Sequence, residues 1–267
     1  MLLLLLKNTF ETAKRCLINT FDHLHRPALD YTEHKLILGT HTDDEQNYLM
    51  IAQVRLPPPD ESEDGKVTGT TQPTSAAGAS SSSTTSTTPS VGGYGNIAER
   101  IEITLKIKHD GDVNKARHMP QNPDLILTKS GNKELALFDI TKHSSLKEDP
   151  VPNPDLILTG PVTEGYGLAW SIPHPGWCLS GSDDKLICMW DINSSTNPAR
   201  TIAPLQVFRS HQGVVEDVAW HPSQPDTFAS VSDDRSMMLW DQRKERPANV
   251  LREAHESEVN VLAWNPK

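Results

Sequence analysis

The sequence predicts an all-β fold made of repeated four-stranded sheets. Four segments fall on one pattern, two of them continue into near-identical hairpins ending in Trp-Asp, and equivalent tryptophans recur at a nearly constant interval. Repetition at such a period means that each unit cannot bury its own apolar faces and must stack on its neighbours.

The segments are HDGDVNKARHMPQNPDLILT (109–128), VTEGYGLAWSIPHPGWCLS (162–180), HQGVVEDVAWHPSQPDTFAS (211–230) and HESEVNVLAWNPK (255–267). Each reads as a polar opening, an alternating strand closing on an aromatic or its stand-in, a turn with proline and, where the chain continues, a second short apolar strand. Trp170 to Trp220 is 50 positions and Trp220 to Trp264 is 44, close to the roughly 40–45 of a four-stranded WD-repeat blade. After the second strand come SGSDDKLICMWDI (180–192) and SVSDDRSMMLWDQ (230–242), with a weaker SGNKELALFDI (130–140) in the blade before. A tight Asp-Asp turn between alternating runs marks a β-hairpin. The fold expected is a WD-repeat β-propeller.

In such blades an Asp of the turn, a strand Ser or Thr, a His before the first strand and the Trp make a buried hydrogen-bond network, which stabilises only when every member is satisfied. That assigns His211, Asp234 and Trp240 to structure, with Ser230 or Ser232 as the hydroxyl, and Asp184 and Trp190 to the same role one blade earlier. There Gly160-Pro161 stands where Gly-His is expected, so that network should be incomplete.

Upstream, HKLILGTH (34–41) and NYLMIAQVRL (47–56) alternate like two strands, and RIEITLKIKH (100–109) like a half-exposed one. The domains expected are an atypical N-terminal segment over 1–30, a first partial blade over 31–57, a low-complexity disordered loop over 58–95, and blades over 96–267 with the ring unfinished. The loop is almost wholly Ser, Thr, Gly, Ala and Pro across 66–90 and cannot bury enough apolar surface to order itself. A long loop closes at little more cost than a moderate one, so it can leave and rejoin at neighbouring strands.

A net charge of −10 argues against direct nucleic-acid binding and for basic partners. The three cysteines, Cys16, Cys178 and Cys188, show no metal spacing and read as buried thiols in a reducing compartment. The opening leucine run is too short for a membrane span and lacks the basic residue before it that a signal peptide carries, so no membrane association is expected. No P-loop, GxSxG, HExxH or paired-carboxylate motif emerges, and neither an enzymatic activity, a cofactor nor a metal is expected.

Aligned on the repeat, Asp112, Glu164, Val214 and Glu258 stand six positions before the aromatic slot, and Asn114, Tyr166, Glu216 and Asn260 four before it. Equivalent positions lie on one rim of the channel, so their side chains should converge. Carboxylates with interleaved amide and phenol groups would attract Arg or Lys of an extended peptide. Solvated blade-edge acids are the plainer alternative for any one of them.

HKLILGTHTDDEQNYLMIAQVRLP (34–57), GGYGNIAERIEITLKIKHDGDVNKARHMPQNP (92–123), TEGYGLAW (163–170) and VVEDVAWHP (214–222) resemble the retinoblastoma-binding, histone-binding WD-repeat family, chromatin assembly factor small subunit type, over roughly residues 31–267 apart from the insert. The resemblance implies a seven-bladed, non-catalytic nuclear scaffold, of which this chain holds about half the ring. It would be shared by chromatin-assembly, deacetylase, remodelling and polycomb-type complexes, and its rim would grip basic tails such as those of histone H3 and corepressors. By resemblance the binding residues are His41, Glu45, Asp112, Asn114, Glu164, Tyr166, Glu216, Glu258 and Asn260; His41 and Glu45 rest on the resemblance alone. Residues 1–30 do not match the family's N-terminal helix and the chain stops before its late acidic loop, so histone H4 binding is doubtful. His118 replaces the usual aromatic, which should loosen one blade. The alternative is a generic WD-repeat scaffold or a ubiquitin-ligase substrate receptor, which would not need the GTHTDDEQ and EGYGLAW segments.

Overall fold

The computed structural model describes residues 16–24, 32–42, 45–56, 101–132, 134–145, 149–160, 163–194 and 199–265. The low-complexity loop expected over 58–95 lies outside them, as do residues 1–15.

Four sheets follow one another along the chain. Blade one comprises β1 (Cys16–Leu24), β2 (Thr32–Thr40), β3 (Asn47–Leu56) and β4 (Ile101–His109). Blade two has β5 (Lys115–Met119), β6 (Asn122–Lys129), β7 (Leu135–Asp139) and β8 (Leu156–Leu158). Blade three has β9 (Gly167–Trp170), β10 (Trp177–Gly181), β11 (Leu186–Asp191) and, after the short β12 (Thr201–Ile202), β13 (Gln206–Arg209). Blade four has β14 (Val215–Trp220), β15 (Thr227–Ser232), β16 (Met237–Asp241) and β17 (Asn249–Leu251). Pairing within each blade is antiparallel and sequential, while β12 adds in parallel to β8 as a fifth strand of blade two. The first strands meet in turn, β1 with β5, β5 with β9 and β9 with β14. This is an all-β, incomplete WD-repeat propeller.

The packing explains why the strands are apolar on both faces, as sheets covered on both sides require. Ile37, Ile51 and Ile107 of blade one bury against Val113, Ile126 and Phe138 of blade two, while Leu36, Leu38, Met50 and Val54 form a second cluster on the opposite face of blade one. Leu127, Leu135 and Leu137 meet Leu168, Cys178 and Trp190, and Leu179, Ile187 and Phe208 meet Val215, Phe228 and Trp240. The indole of Trp170 donates to the Arg117 carbonyl of the preceding blade at 2.9 Å. Cys178 and Cys188 are buried free thiols, and burial pushes the Cys188 thiol up to about 12.

Both Asp-Asp hairpins turn through a residue in the left-handed region, Lys185 at φ 70° and Arg235 at φ 64°. Asp184 Oδ1 accepts from Leu186 N at 3.1 Å and Asp234 Oδ1 from Ser236 N at 2.9 Å. The aspartate side chain thus closes a three-residue loop that ends on a left-handed residue.

Two expectations change. The first sheet is larger than the partial blade of 31–57, because β1 pairs with β2 from within the supposed N-terminal segment and β4 returns beyond the insert to pair with β3. Without them β2 and β3 would be a two-stranded hairpin with two open edges. The last repeat, 255–265, forms no strand: Val261 is 77% exposed. A strand needs a ladder, and this segment has only scattered bonds, Val259 N to Ser232 O at 3.3 Å and Trp264 Nε1 to Ala219 O at 3.2 Å.

Candidate functional site

The loops leading into β5, β9 and β14 and the hairpin turns inside blades one, three and four gather at one end of the inner strands. Their backbones fix the register. Asp183 N donates to Glu164 O at 3.0 Å, and Asp233 N donates to Val214 O at 3.1 Å, the same bond in the next blade. Each turn therefore sets its first aspartate beside the residue that opens the blade's inner strand.

Asn114 is buried and its Nδ2 lies 3.4 Å from Glu164 Oε1 of the next blade, while its Oδ1 has no partner. Glu164 and Tyr166 are exposed, and Glu216 is half-buried on β14. Burial, then repulsion from Glu164, pushes the Asp183 carboxyl above its ordinary value. Burial, followed by Asp233, Asp183 and Asp217, does the same to Glu216. Glu164, Asp183, Glu216 and Asp233 therefore form a row of mutually repelling carboxylates across blades three and four. None of the four is in an ion pair among the described residues. The nearby cation Lys115 is already engaged, its Nζ 2.9 Å from Asp217 Oδ1, and the second oxygen of that aspartate accepts from Leu262 N at 3.1 Å.

The remaining candidates sit apart from that row. His41 Nε2 lies 3.3 Å from Asp112 Oδ2, and Asp112 Oδ1 accepts from Asn47 Nδ2 at 2.9 Å. Glu45 is exposed on the wall of an open polar cleft of about 510 Å³ that Asn47, His109 and Asp112 also line. Glu258 and Asn260 are exposed on the strandless last repeat, where Ser257 Oγ donates to Glu258. Asp183 and Asp233 were missed from sequence. The signal was there: each turn carries two aspartates, and the hairpin needs only the second.

The residues assigned to structure differ between blades. In blade four His211 Nδ1 lies 2.9 Å from Asp234 Oδ2, His211 Nε2 lies 2.7 Å from Ser230 Oγ, and Trp240 Nε1 donates to that oxygen at 2.8 Å. Ser230 is thus the hydroxyl of the network. Burial opposes ionisation of Asp234, but hydrogen bonds from Ser236, Gln212 and His211 hold its carboxyl well below the usual range. In blade three Trp190 Nε1 donates instead to Thr159 O at 3.0 Å, and Asp184 N donates to Thr163 Oγ1 at 3.0 Å. Blade two keeps only His109 Nε2 against Thr128 Oγ1 at 2.8 Å. Among the described residues no group of three or more His, Cys, Asp or Glu could hold a metal ion.

Residues 8–58 match the family model described as histone-binding protein RBBP4 or its counterpart in the CAF1 complex, and residues 152–191 and 202–241 match the WD domain, G-beta repeat. The first match begins well upstream of residue 31, where the resemblance starts. The second covers the strands of blade three and much of blade four. With both matches on one run of propeller blades, the chain belongs to the RBBP4-type family of WD-repeat histone-binding proteins.

Proposed function

We propose that this chain is a non-catalytic scaffold that binds basic peptide tails on its carboxylate rim. The observation that supports it is the row Glu164, Asp183, Glu216 and Asp233, crowded without a cation and bordered by the buried, unpartnered Asn114 Oδ1. Repulsion of this kind lowers stability and is relieved by a guanidinium or ammonium that several oxygens share. The family match supports histones as the partner class, and the resemblance narrows this to the histone H3 tail and corepressor N-termini. It also supports residence in the nucleus and membership of chromatin-assembly, deacetylase, remodelling or polycomb-type complexes. Histone H4 stays outside the proposal, because the resemblance ties that contact to an N-terminal helix and residues 16–24 run as strand β1.

Tyr166, exposed beside Glu164, offers a ring face to the aliphatic stem or charge of a bound Arg or Lys. Asp112 and His41 extend the rim onto blade one as an already paired group. Calorimetric titration with an arginine-rich peptide tests the reading. The double variant Glu164→Lys, Glu216→Lys should abolish binding, and unchanged affinity would sink it.

A further inference from the structure

Lys129 lies at the end of β6 and is 1% exposed. Its slot, one residue beyond the strand hydroxyl, is held by Gly181 in blade three and Val231 in blade four. The slot faces the next blade's inner strand. A Cβ on Gly181 would stand 2.5 Å from Val215 Cγ1, so that slot is filled by the neighbour's valine. Between blades two and three the sizes are exchanged. The lysine projects, and opposite it stands Gly165 at φ 151°, where a Cβ would come within 3.2 Å of Lys129 Nζ.

The ammonium ends among three oxygens of blade three. It donates to Ser180 Oγ at 2.8 Å, to Ser182 Oγ at 2.8 Å and to Gly181 O. Blade three lacks the histidine that reaches Ser230 in blade four, and Lys129 supplies the donor to the equivalent Ser180. The rim is built on the same atoms. Asn114 N donates to Lys129 O at 2.9 Å, and Val215 N, next to Glu216, donates to Ser182 O at 3.1 Å. Asp183 follows Ser182 directly and binds Glu164 O through its amide. The other charged and titratable groups acting on the ammonium are Asp184, Asp183, Cys188 and Lys115.

We propose that Lys129 is a positioning residue for the rim, its buried ammonium fixing the spacing of the acceptors that Asn114, Glu164, Asp183 and Glu216 offer to a peptide cation, an inference that rests on the rim reading above. It touches no ligand itself. It ties the end of β10 and the turn after it to blade two, so that the carboxylates of blade three stand in register with Asn114 on one side and Glu216 on the other.

The test is Lys129→Met, which keeps the length of the side chain and removes its donors and charge. Removing a positive charge below an anionic site would by itself tighten the binding of a cation. A loss therefore reports geometry. Affinity of the 267-residue chain for an arginine- and lysine-containing decapeptide should fall about ten-fold. The cost of Glu164→Gln should shrink in the Lys129→Met background, a non-additivity that general destabilisation would not produce. Ser182→Ala, which removes one acceptor and leaves the lysine in place, should give the same change in smaller measure. Equal or tighter binding by both variants, or strictly additive costs, overturns the inference. Amide exchange over 180–186 in the free protein separates the two readings. It should quicken in Lys129→Met whether or not peptide is present, and unchanged exchange overturns the clamp, whereas a wild-type chain that does not bind the decapeptide overturns the rim.

Discussion

Blades three and four carry almost the same hairpin sequence yet hold it together differently. In blade four the network is internal: His211, Ser230, Asp234 and Trp240 satisfy one another within one sheet. In blade three the equivalent serine, Ser180, is satisfied from outside by Lys129 of blade two. The first arrangement makes a blade that is complete in itself, and the second makes a joint. A degenerate repeat has thus not simply lost a network; its vacancy is filled by a bond between blades.

The comparison can be broken most sharply at the two serines. Ser230→Ala strands two buried donors, His211 and Trp240, and should cost about 2–4 kcal/mol in denaturant unfolding. Ser180→Ala leaves Lys129 with two other oxygens and should cost about 1 kcal/mol. Equal costs would mean that the blades are held alike.

The pH dependence should separate them next. Burial pushes Lys129 down from 10.5 to about 7, so the unfolded chain binds more protons than the folded one between these values. Its penalty is fully present below about pH 7 and is relieved as pH rises toward 10.5. In blade four, burial lowers His211 from its ordinary 6.5, and Asp234 is held below 3.8. Both groups favour the folded state at neutral pH, and stability is lost as pH falls below 6.5 and again below 3.8. Hydrogen exchange at the amides of β10 and β15 across roughly pH 5 to 9 should show β15 loosening in acid and β10 tightening in alkali. Lys129→Met should flatten the alkaline limb alone.

The smallest effect is expected at the joint between blades one and two. His118 stands where Trp170 and Trp220 stand in later blades, above a shallow groove lined by Ile37, Ile51 and Ile126. His118→Trp should fill it and stabilise the chain by about 1 kcal/mol, read as a raised melting temperature.

How much of this was legible in the sequence follows from the range of each interaction. The hairpins were, because Ser-Asp-Asp turns and Trp-Asp endings are local and repeated. Glu164 and Glu216 were, because alignment on the repeat puts them in one column. Lys129 was not: its acceptors lie 51 to 53 residues away, and within its own strand it reads as one more charge at a strand end. Strand β1 escaped for another reason, since CLINTFDHL lacks clean alternation and follows a segment that matches no repeat. The last repeat was legible as a pattern and still formed no strand, because pattern does not supply the ladder.

Strand β12 has a consequence for synthesis. Ile157 N donates to Arg200 O and Thr159 N to Ile202 O, both at 2.8 Å, so the outer edge of blade two is capped by residues made only after most of blade three. On a ribosome adding about 5–20 residues per second, blade two would wait a few seconds with that edge uncovered. During that interval it is open to pairing with another nascent chain, and the polysome, rather than the finished protein, is where this fold is most exposed to error.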